Sequence, residues 1–406
     1  MKVLFVVPYL YNPSLENFQK NKTGFGIIIN QMAKHIGDKC DLYIFTNVIT
    51  PELKLYNATI VRHTWWTVLK NSTFRDVMNG IKEAIISETN IREKMLNIYY
   101  KINCGSLRAV ISNYNPEIIH CHGVGKRLNW YYDVCKSTEI PVVKTLHGLI
   151  GVTEVSEDDR LAELDFLGKA SIEQTPVSVI STGIKQRLLS PPYNLLRVDN
   201  IKVIPNGTII IPRPPIENIY VKYQIRKDKK IVILVGSVSK VKNQIQLIKA
   251  LSLMSKDVLD RLHIFIIGSI SDDDPIKEEI EKYNLSEKVC LTGFVPFEKL
   301  QDYYSISSLN ILASKDGEGF GLSMIEGFVY GVPCLTFSDL YAIPDIYDER
   351  AMLLCENRDD ENFAVNIEKA LNQQWDKEWI KEYSKRFSLE KMACQYIDFY
   401  QEAISK

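Results

Sequence analysis

Ile231-Val-Ile-Leu-Val235-Gly236 and His263-Ile-Phe-Ile-Ile267-Gly268 are the two stretches that decide the fold class of this chain. Each is a short apolar run that ends at a glycine, which is typical of a buried strand that runs into a loop. Val289–Leu291 and Leu309–Leu312 repeat the arrangement, with helical patterns between the runs. Strands that alternate with helices predict a parallel sheet covered on both faces, the doubly wound α/β design.

The first half of the chain shows the same alternation. Its strand signals are Val3–Val7, Leu42–Phe45, Ile118–His120, Val142–Leu146 and Val177–Ile180. Four prolines between positions 205 and 215 then suit an extended linker. At 406 residues the chain is also too long for one ordinary core. We therefore predict two Rossmann-like doubly wound domains that face one another across a cleft, residues 1–205 and 206–385. A terminal helix, 386–406, is expected to cross back to the first domain.

Charge and cysteine content narrow the function classes. The formal net charge is −1, so a nucleic-acid partner is not indicated. Residues 1–205 carry 24 Lys and Arg against 19 Asp and Glu, and residues 206–406 carry 25 against 31. This small asymmetry suits a phosphorylated or membrane-bound acceptor on the first domain. The eight cysteines are scattered without a Cys-x-x-Cys, which is typical of reduced thiols.

No apolar run approaches the roughly 18 residues needed to span a bilayer. The apolar start of the chain, stopped by Pro8, is also short for a signal peptide. The sequence therefore predicts a cytoplasmic protein.

Asp316-Gly-Glu-Gly-Phe-Gly-Leu-Ser-Met-Ile-Glu326 is the segment with the most specific chemistry. Its three glycines allow a sharp turn and a close approach to a ligand. A helix is predicted to begin near Leu322, and its free N–H groups would bind phosphate or another anion. Glu318 in the loop can then contact a sugar, while Glu326 accepts hydrogen bonds from ribose hydroxyls. A plain glycine turn followed by a helix-favouring Glu explains the same residues.

Together with other motifs, this segment resembles family 4 of the nucleotide-sugar-dependent glycosyltransferases, which have the two-domain GT-B fold. Residues 318–326 are similar to the family's Glu-Gly-Phe-Gly-Leu-x-x-x-Glu. Ile201–Gly207 resembles its Val-Ile-Pro-Asn-Gly at the domain boundary, and Val235–Asn243 resembles its Gly-Arg-x(4)-Lys-Gly. Thr292–Val295 and Ala313-Ser314 also have family counterparts. The resemblance covers nearly the whole chain.

The resemblance implies retaining transfer of a sugar from a UDP- or GDP-sugar to a hydroxyl of a glycan or lipid-linked acceptor, in cell-surface polysaccharide biosynthesis. Neither a metal nor another cofactor is expected. Lys242 would face the donor diphosphate, where a fixed cation stabilises the charge that the leaving group gains. Glu318 and His147 would position the donor sugar, and Glu326 would hold the ribose. The other donor-binding residues that the resemblance implies are Gly24, Ser237, Val295, Phe320, Gly321 and Leu322.

Ser237 departs from the family pattern, which most often has Arg at this position. Arg offers phosphate a bidentate fork, whereas Ser offers one hydroxyl. Either Lys242 and the helix N-termini suffice, or Lys240 substitutes, or the chain is a weak or inactive enzyme. Two rival functions therefore stay open. A sugar-nucleotide epimerase would convert the donor without an acceptor, and a non-catalytic sugar-nucleotide binder would give no product.

Three further motifs carry weaker signals. His120 and His122 form a His-x-His that no other Cys or carboxylate completes as a zinc site, so a structural or cleft-lining role is predicted. Asp272–Asp274 is interpreted as a solvated cap of a helix. Gly24-Phe-Gly26 lies where this fold places a phosphate- or acceptor-facing loop.

Residues 57–115 are the part least similar to the family. Trp65-Trp66 and the amphipathic stretch after it fit a lip of the acceptor site, a surface that touches membrane, or buried aromatic packing. A peripheral contact with the inner face of a membrane therefore stays open. The sequence identifies neither the base and sugar of the donor nor the acceptor.

Overall fold

The chain forms two compact units. The computed structural model describes residues 1–20, 23–87, 89–149, 157–191, 193, 197–315 and 318–406. Unit 1 comprises Met1–Ile180, Ile184–Ile204 and Leu389–Lys406, and unit 2 comprises Ser181–Gly183 and Pro205–Ser388. Asp316 and Gly317 of the glycine segment lie outside the described residues.

Unit 1 is built on one sheet of eight strands. They are β1 (Lys2–Val7), β2 (Asp41–Thr46), β3 (Leu53–Leu55), β4 (Ala58–Ile60), β5 (Ile118–His122), β6 (Val142–Leu146), β7 (Val177–Val179) and β8 (Ile201–Val203). Their order is β3-β4-β2-β1-β5-β6-β7-β8. The pairs are parallel, apart from the antiparallel β3 and β4 at one edge. Five consecutive residues of β1 are buried, because a central parallel strand is covered on both faces.

Helices cover this sheet. They are α1 (Gly24–Gly37), α2 (Trp65–Asn71), α3 (Phe74–Ile86), α4 (Ile91–Tyr114), α5 (Lys126–Lys136), α6 (Glu157–Ile172) and α7 (Thr182–Leu189), with short 3-10 helices at Glu16–Phe18 and Val198–Asn200. The first two residues of α7 belong to unit 2. Both α2 and α3 pack against α4, so residues 65–114 form a small helical layer.

Unit 2 contains a six-stranded parallel sheet. Its strands are β9 (Lys230–Val235), β10 (Leu262–Ile267), β11 (Val289–Gly293), β12 (Leu309–Ile311), β13 (Cys334–Phe337) and β14 (Met352–Cys355), in the order β11-β10-β9-β12-β13-β14. Its helices are α8 (Ile219–Lys222), α9 (Gln244–Ser252), α10 (Lys256–Leu259), α11 (Ile276–Lys282), α12 (Phe297–Tyr304), α13 (Leu322–Val329), α14 (Ile343–Ile346), α15 (Asp360–Asn372) and α16 (Lys377–Ser384), followed by a 3-10 turn at Lys385–Phe387. The predicted class, two doubly wound α/β domains, is confirmed.

The last helix, α17 (Leu389–Ile404), belongs to unit 1, where it packs against α1 and β6. The Tyr400 hydroxyl lies 2.7 Å from Nδ1 of His120, and both side chains are buried. Unit 2 ends at Ser388, whereas the sequence placed the boundary after residue 385.

Two glycines bring the ends of β9 and β10 together. A Cβ on Gly268 would lie 2.1 Å from the carbonyl oxygen of Gly236, which no side chain tolerates. Gly268, which closes the second strand signal, is therefore needed for the contact between the neighbouring loops. This contact fixes the start of the loop that leads to Lys242.

None of the helices in the described parts of the chain is long and apolar enough to cross a membrane.

Candidate functional site

The loop after β9 holds Ser237 and leads to Lys242, two of the predicted donor-binding residues. A Cβ on Gly236 would lie 3.2 Å from Cε of Lys242, so the glycine leaves the space that the lysine stem occupies. The Ser269 hydroxyl donates to the Ser237 hydroxyl at 3.0 Å. Ser237 is thus held by the neighbouring strand-end loop, next to the turn that carries Lys242.

Lys242 and Glu318, which the sequence assigned to different parts of the donor, contact each other in the structure. The Lys242 ammonium forms an ion pair with the Glu318 carboxylate. The Ser314 hydroxyl donates to Oε2 of Glu318 at 2.9 Å, and the Gly321 N–H donates to Oε1 at 3.1 Å. Both carboxylate oxygens therefore have donors, and the ammonium is held at a fixed place beyond the ends of the strands.

The surroundings of Glu318 keep its carboxylate ionised. Its side chain is only 12% exposed, and burial by itself would raise the pKa. The positive charge of Lys242 and the hydrogen bonds from Lys242, Ser314 and Gly321 outweigh burial, so the pKa lies below its usual value. The site thus presents one anion and one cation in contact, each only partly accessible to solvent.

Helix α13 begins at the glycine segment and carries Glu326. Gly321 has φ +74°, a backbone conformation that favours glycine, and a Cβ there would also lie 2.7 Å from the side-chain ends of Leu312 and Met324. Glu326 is the fifth residue of the helix, and its Oε2 accepts a hydrogen bond of 3.0 Å from the Tyr304 hydroxyl. The sequence did not indicate Tyr304.

Burial raises the pKa of Glu326, although the Tyr304 hydroxyl and Lys242 both act to lower it. The positive end of the helix dipole does not offset this burial, because the dipole acts within the first turn of a helix and Glu326 lies beyond it. A carboxylate with a raised pKa is well suited to hydrogen bonding with neutral hydroxyls.

The other predicted donor-binding residues of unit 2 lie in less accessible positions. Phe320 is buried, with its ring 6.2 Å from that of Phe387 in an edge contact. Leu322 is half-buried as the first residue of α13. Val295 packs against the buried cluster that includes Phe265 and Tyr304. The side chain of Phe320 therefore serves the core, and only its backbone remains for a ligand.

In unit 1, His147 follows β6, as the sequence predicted. Its Nε2 lies 3.1 Å from Nδ1 of His122, and its ring makes an edge contact with Phe25 at 5.1 Å. Burial lowers the pKa of His147 to about 4, so the imidazole is neutral at pH 7. Its Nδ1 is buried and has no hydrogen-bond partner among the described residues. This buried nitrogen therefore has a hydrogen-bonding capacity that the described residues leave unused.

His120 and His122 extend this contact into the core. The His120 and His122 ring centroids are 3.8 Å apart, and Nε2 of His120 lies 2.6 Å from the Thr145 hydroxyl. Burial holds the pKa of each of these histidines well below 6.5. Tyr400 and Thr145 occupy both nitrogens of His120, so it supports the His122–His147 pair without reaching a ligand. The sequence missed this stack because it joins two strands and α17.

Gly24 begins α1, and Thr23 caps the helix by accepting a hydrogen bond of 3.1 Å from the Gly26 N–H. A Cβ on Gly24 would meet no atom of the described residues within 4 Å. The packing within unit 1 thus leaves open space at this position.

A cavity of about 580 Å³ lies in unit 1, and Phe25, the residue after Gly24, is part of its lining. Tyr9, Phe25 and Tyr100 give it aromatic walls, and Arg127 and Glu93 give it charge. Arg127 forms an ion pair with Glu93, and its Nε donates to the Asn97 amide oxygen at 2.9 Å. The sequence did not indicate this cavity, because α4 contributes to it from a segment without a recognisable motif.

In the parts of the chain that the structure describes, no three His, Cys, Asp or Glu side chains are arranged to hold a metal ion. Asp274, from the acidic run, accepts a hydrogen bond of 3.0 Å from the Ile276 N–H and so helps to begin α11. The absence of a metal requirement stays a prediction.

Part of the chain matches a known protein family. Residues 215–387, which lie in unit 2, match the model of the glycosyl transferases group 1. Mannosylfructose-phosphate synthase from Agrobacterium fabrum is 24% identical over 263 residues, which are 59% of this chain and 57% of the relative. The match thus spans little more than half the length of that relative. The predicted resemblance to glycosyltransferases is confirmed by this match, which lies in unit 2.

Solved structures support the fold. Sucrose-phosphate synthase from Thermosynechococcus elongatus superposes with a TM-score of 0.76 at 17% identity, over 100% of both chains. The Anabaena protein HepE, solved with UDP and glucose, gives a TM-score of 0.68 at 15% identity, over 99% of this chain and 100% of that one. The fold is therefore the GT-B fold of glycosyltransferases.

Proposed function

Because unit 2 matches the glycosyl transferases group 1, we propose that this protein transfers a sugar from a nucleotide-sugar to a hydroxyl of a glycan or lipid-linked acceptor. The configuration at the transferred carbon is retained, and no metal takes part. The observation that carries the proposal is the Lys242–Glu318 pair, held by Ser314 and the Gly321 N–H beyond the strands of unit 2.

Lys242 supplies the charge that this reaction requires. When the bond between the sugar and the diphosphate breaks, negative charge grows on the leaving diphosphate. A cation fixed in a partly buried site stabilises that charge without reorganising. The N–H groups at the start of α13 add donors to the same anion. The ionised oxygens of Glu318 can then accept hydrogen bonds from the hydroxyls of the donor sugar.

Glu326 and Tyr304 suit the ribose of the donor. The carboxylate accepts hydrogen bonds from two adjacent hydroxyls, and the Tyr304 hydroxyl fixes its orientation. In unit 1, the partnerless Nδ1 of the neutral His147 would bind a sugar hydroxyl. The UDP in the HepE structure supports testing uridine nucleotides first.

The cavity of unit 1 suits an uncharged saccharide as acceptor. Its aromatic side chains offer flat faces to sugar rings. Its charged lining consists of two cations, Lys126 and Arg127, and three carboxylates, Glu93, Asp158 and Asp159. Arg127 is already paired with Glu93, so little positive charge remains for a phosphorylated acceptor.

A thermal-shift experiment in EDTA tests the donor site. UDP, GDP, ADP and their common sugars are compared on the wild-type chain and on Glu326→Ala. A nucleotide at 100 times its Kd adds about 2.7 kcal/mol of stability. We expect one base to raise the melting temperature of the wild type and to lose that effect in the variant. No shift with any nucleotide would contradict the proposal.

Product analysis separates transfer from the two rivals. Incubation with the donor and a panel of glycans should give an extended glycan whose new bond has the donor's anomeric configuration by NMR. An epimerase would instead give a new sugar nucleotide without an acceptor. A non-catalytic binder, which Ser237 motivates, would show the thermal shift and no product.

A further inference from the structure

Unit 1 exposes an unusual amount of apolar surface in one segment. Of the 21 large hydrophobic side chains that are exposed in the described chain, ten lie between residues 65 and 95. Trp66, Phe74 and Ile91 are 74%, 81% and 74% exposed. We refer to the exposed hydrophobic side chains of residues 65–95 as the apolar surface. They lie on α2, α3 and the start of α4, which pack together.

Helix α3 carries its large side chains outward and its small ones inward. Phe74, Met78, Ile81 and Ile85 are exposed, and their spacing of four, three and four residues places them on one face. The opposite face is buried through Asp76, Gly80 and Ala84. A Cβ on Gly80 would lie 3.0 Å from Cα of Ile98, so the backbone of α3 rests directly on α4. The apolar face of this helix is thus turned away from its own core.

The charges around the apolar surface favour a negatively charged occupant. Three carboxylates of the same segment are neutralised, because Asp76 pairs with Arg108, Glu83 with Lys126 at 3.6 Å, and Glu93 with Arg127. In contrast, a set of cations has no ion pair with any described residue: Lys70, Arg75, Lys82, Arg92 and Lys94. The surface therefore combines apolar side chains with unneutralised positive charge.

We propose that the apolar surface binds the face of an anionic lipid bilayer. Amphipathic helices with tryptophan and phenylalanine on one face and Lys and Arg around it insert that face at the boundary of head groups and acyl chains. The unpaired cations then contact anionic head groups. Trp65-Trp66 belongs to this surface and not to buried aromatic packing.

The position of the cavity suggests what membrane binding would do for the reaction. This step of the inference rests on the proposed function. Ser87 and Thr89, between α3 and α4, line the cavity of unit 1, and the exposed Ile86 and Ile91 flank them in sequence. A bilayer bound at the end of this helix pair would lie beside the cavity. A lipid-linked saccharide could then enter the cavity while its lipid stays in the membrane.

Vesicle sedimentation tests the proposal on the full chain, without nucleotide or acceptor. Vesicles of phosphatidylcholine alone are compared with vesicles that contain about 30% phosphatidylglycerol. We expect the wild type to bind the anionic vesicles at least about tenfold more strongly, and about 0.5 M NaCl to weaken this binding.

Two double variants identify the surface. Phe74→Gln with Ile85→Gln should weaken vesicle binding about tenfold or more, because both side chains would insert. Ile172→Gln with Val365→Gln removes two side chains that are also exposed, at 85% and 66%, outside the apolar surface, and should leave binding unchanged. All four side chains are exposed, so circular dichroism and melting temperature should stay the same.

Arg75→Gln with Lys82→Gln gives a second measure, since it should lower binding to anionic vesicles without changing any apolar side chain. Equal binding by the wild type and both surface variants would overturn the proposal. So would an absence of vesicle binding accompanied by a dimer in sedimentation velocity that Phe74→Gln with Ile85→Gln disrupts, because the occupant would then be a second copy. The nucleotide thermal shift is a separate readout, so the two proposals can fail independently.

Discussion

The Lys242–Glu318 pair predicts opposite effects of its two members on nucleotide binding. The Lys242 ammonium is paired with the Glu318 carboxylate, so a diphosphate that binds Lys242 must compete with Glu318. Lys242→Met removes a charge-assisted hydrogen bond worth about 1.5–3 kcal/mol. The Kd of the nucleoside diphosphate should therefore rise about 10- to 150-fold. Glu318→Gln removes the competing charge and keeps the shape, so the Kd should stay the same or fall.

Catalysis should respond differently. Both variants are expected to lower transfer by about 10²-fold or more, because one loses the charge on the leaving group and the other loses the contact with the sugar. Isothermal titration with the diphosphate that stabilises the wild type most gives the Kd, and a transfer assay gives kcat. Lys249→Met, at an exposed position on α9 of the same unit, is the matched control.

The double variant, Lys242→Met with Glu318→Gln, completes a double-mutant cycle. It should bind the diphosphate as weakly as Lys242→Met alone. Two results would refute this reasoning. If Glu318→Gln weakened binding as much as Lys242→Met, the pair would act as one structural element. If Lys242→Met bound normally, the diphosphate would lie elsewhere in unit 2.

Two further predictions concern stability. His63 is buried and its pKa is lowered to about 4, so between pH 7 and pH 5 the unfolded chain binds a proton that the folded chain refuses. The free energy of unfolding should therefore fall over this range, by about 2 kcal/mol from this residue. In urea denaturation, His63→Gln should lose correspondingly less stability between pH 7 and pH 5 than the wild type. Equal losses in the two proteins would contradict the assignment. Gly268→Ala should lower the melting temperature through overpacking of about 1–3 kcal/mol or more against Gly236. Gly168→Ala in α6, where a Cβ would meet no atom of the described residues within 4 Å, should leave the melting temperature unchanged or raise it.

The fold class could be read from the sequence because each main strand is an apolar run that ends in a loop signal. The strand Ile231–Val235 was predicted within one residue of its observed bounds, and so was His263–Ile267. The strands that were not predicted are short: β3, β4 and β8 have three residues each, and β14 has four. Runs this short do not show a hydrophobic periodicity that distinguishes a strand from a loop. Their place in the sheet depends on the strands beside them.

The candidate site was predictable in its membership and less so in its contacts. A motif gives each residue a role toward a ligand, so it could not show that Lys242 binds Glu318, 76 positions away. The raised pKa of Glu326 depends on burial that the segment does not reveal. The direction of the side chains of residues 65–95 was also unpredictable, because an amphipathic pattern does not say which face meets the core.

Unit 1 includes residues that follow unit 2 in the chain, so the order of synthesis determines which unit can be completed first. A nascent chain is made from its N-terminus, and domains usually complete in that order. Here His120 lacks its partner Tyr400, 280 positions later, until α17 has left the ribosome. The face of α1 and β6 that α17 covers also stays uncovered until then. Unit 2, apart from Ser181–Gly183, is made from one continuous stretch that ends at Ser388. We therefore expect the second domain in sequence to be the first to become protease-resistant during translation.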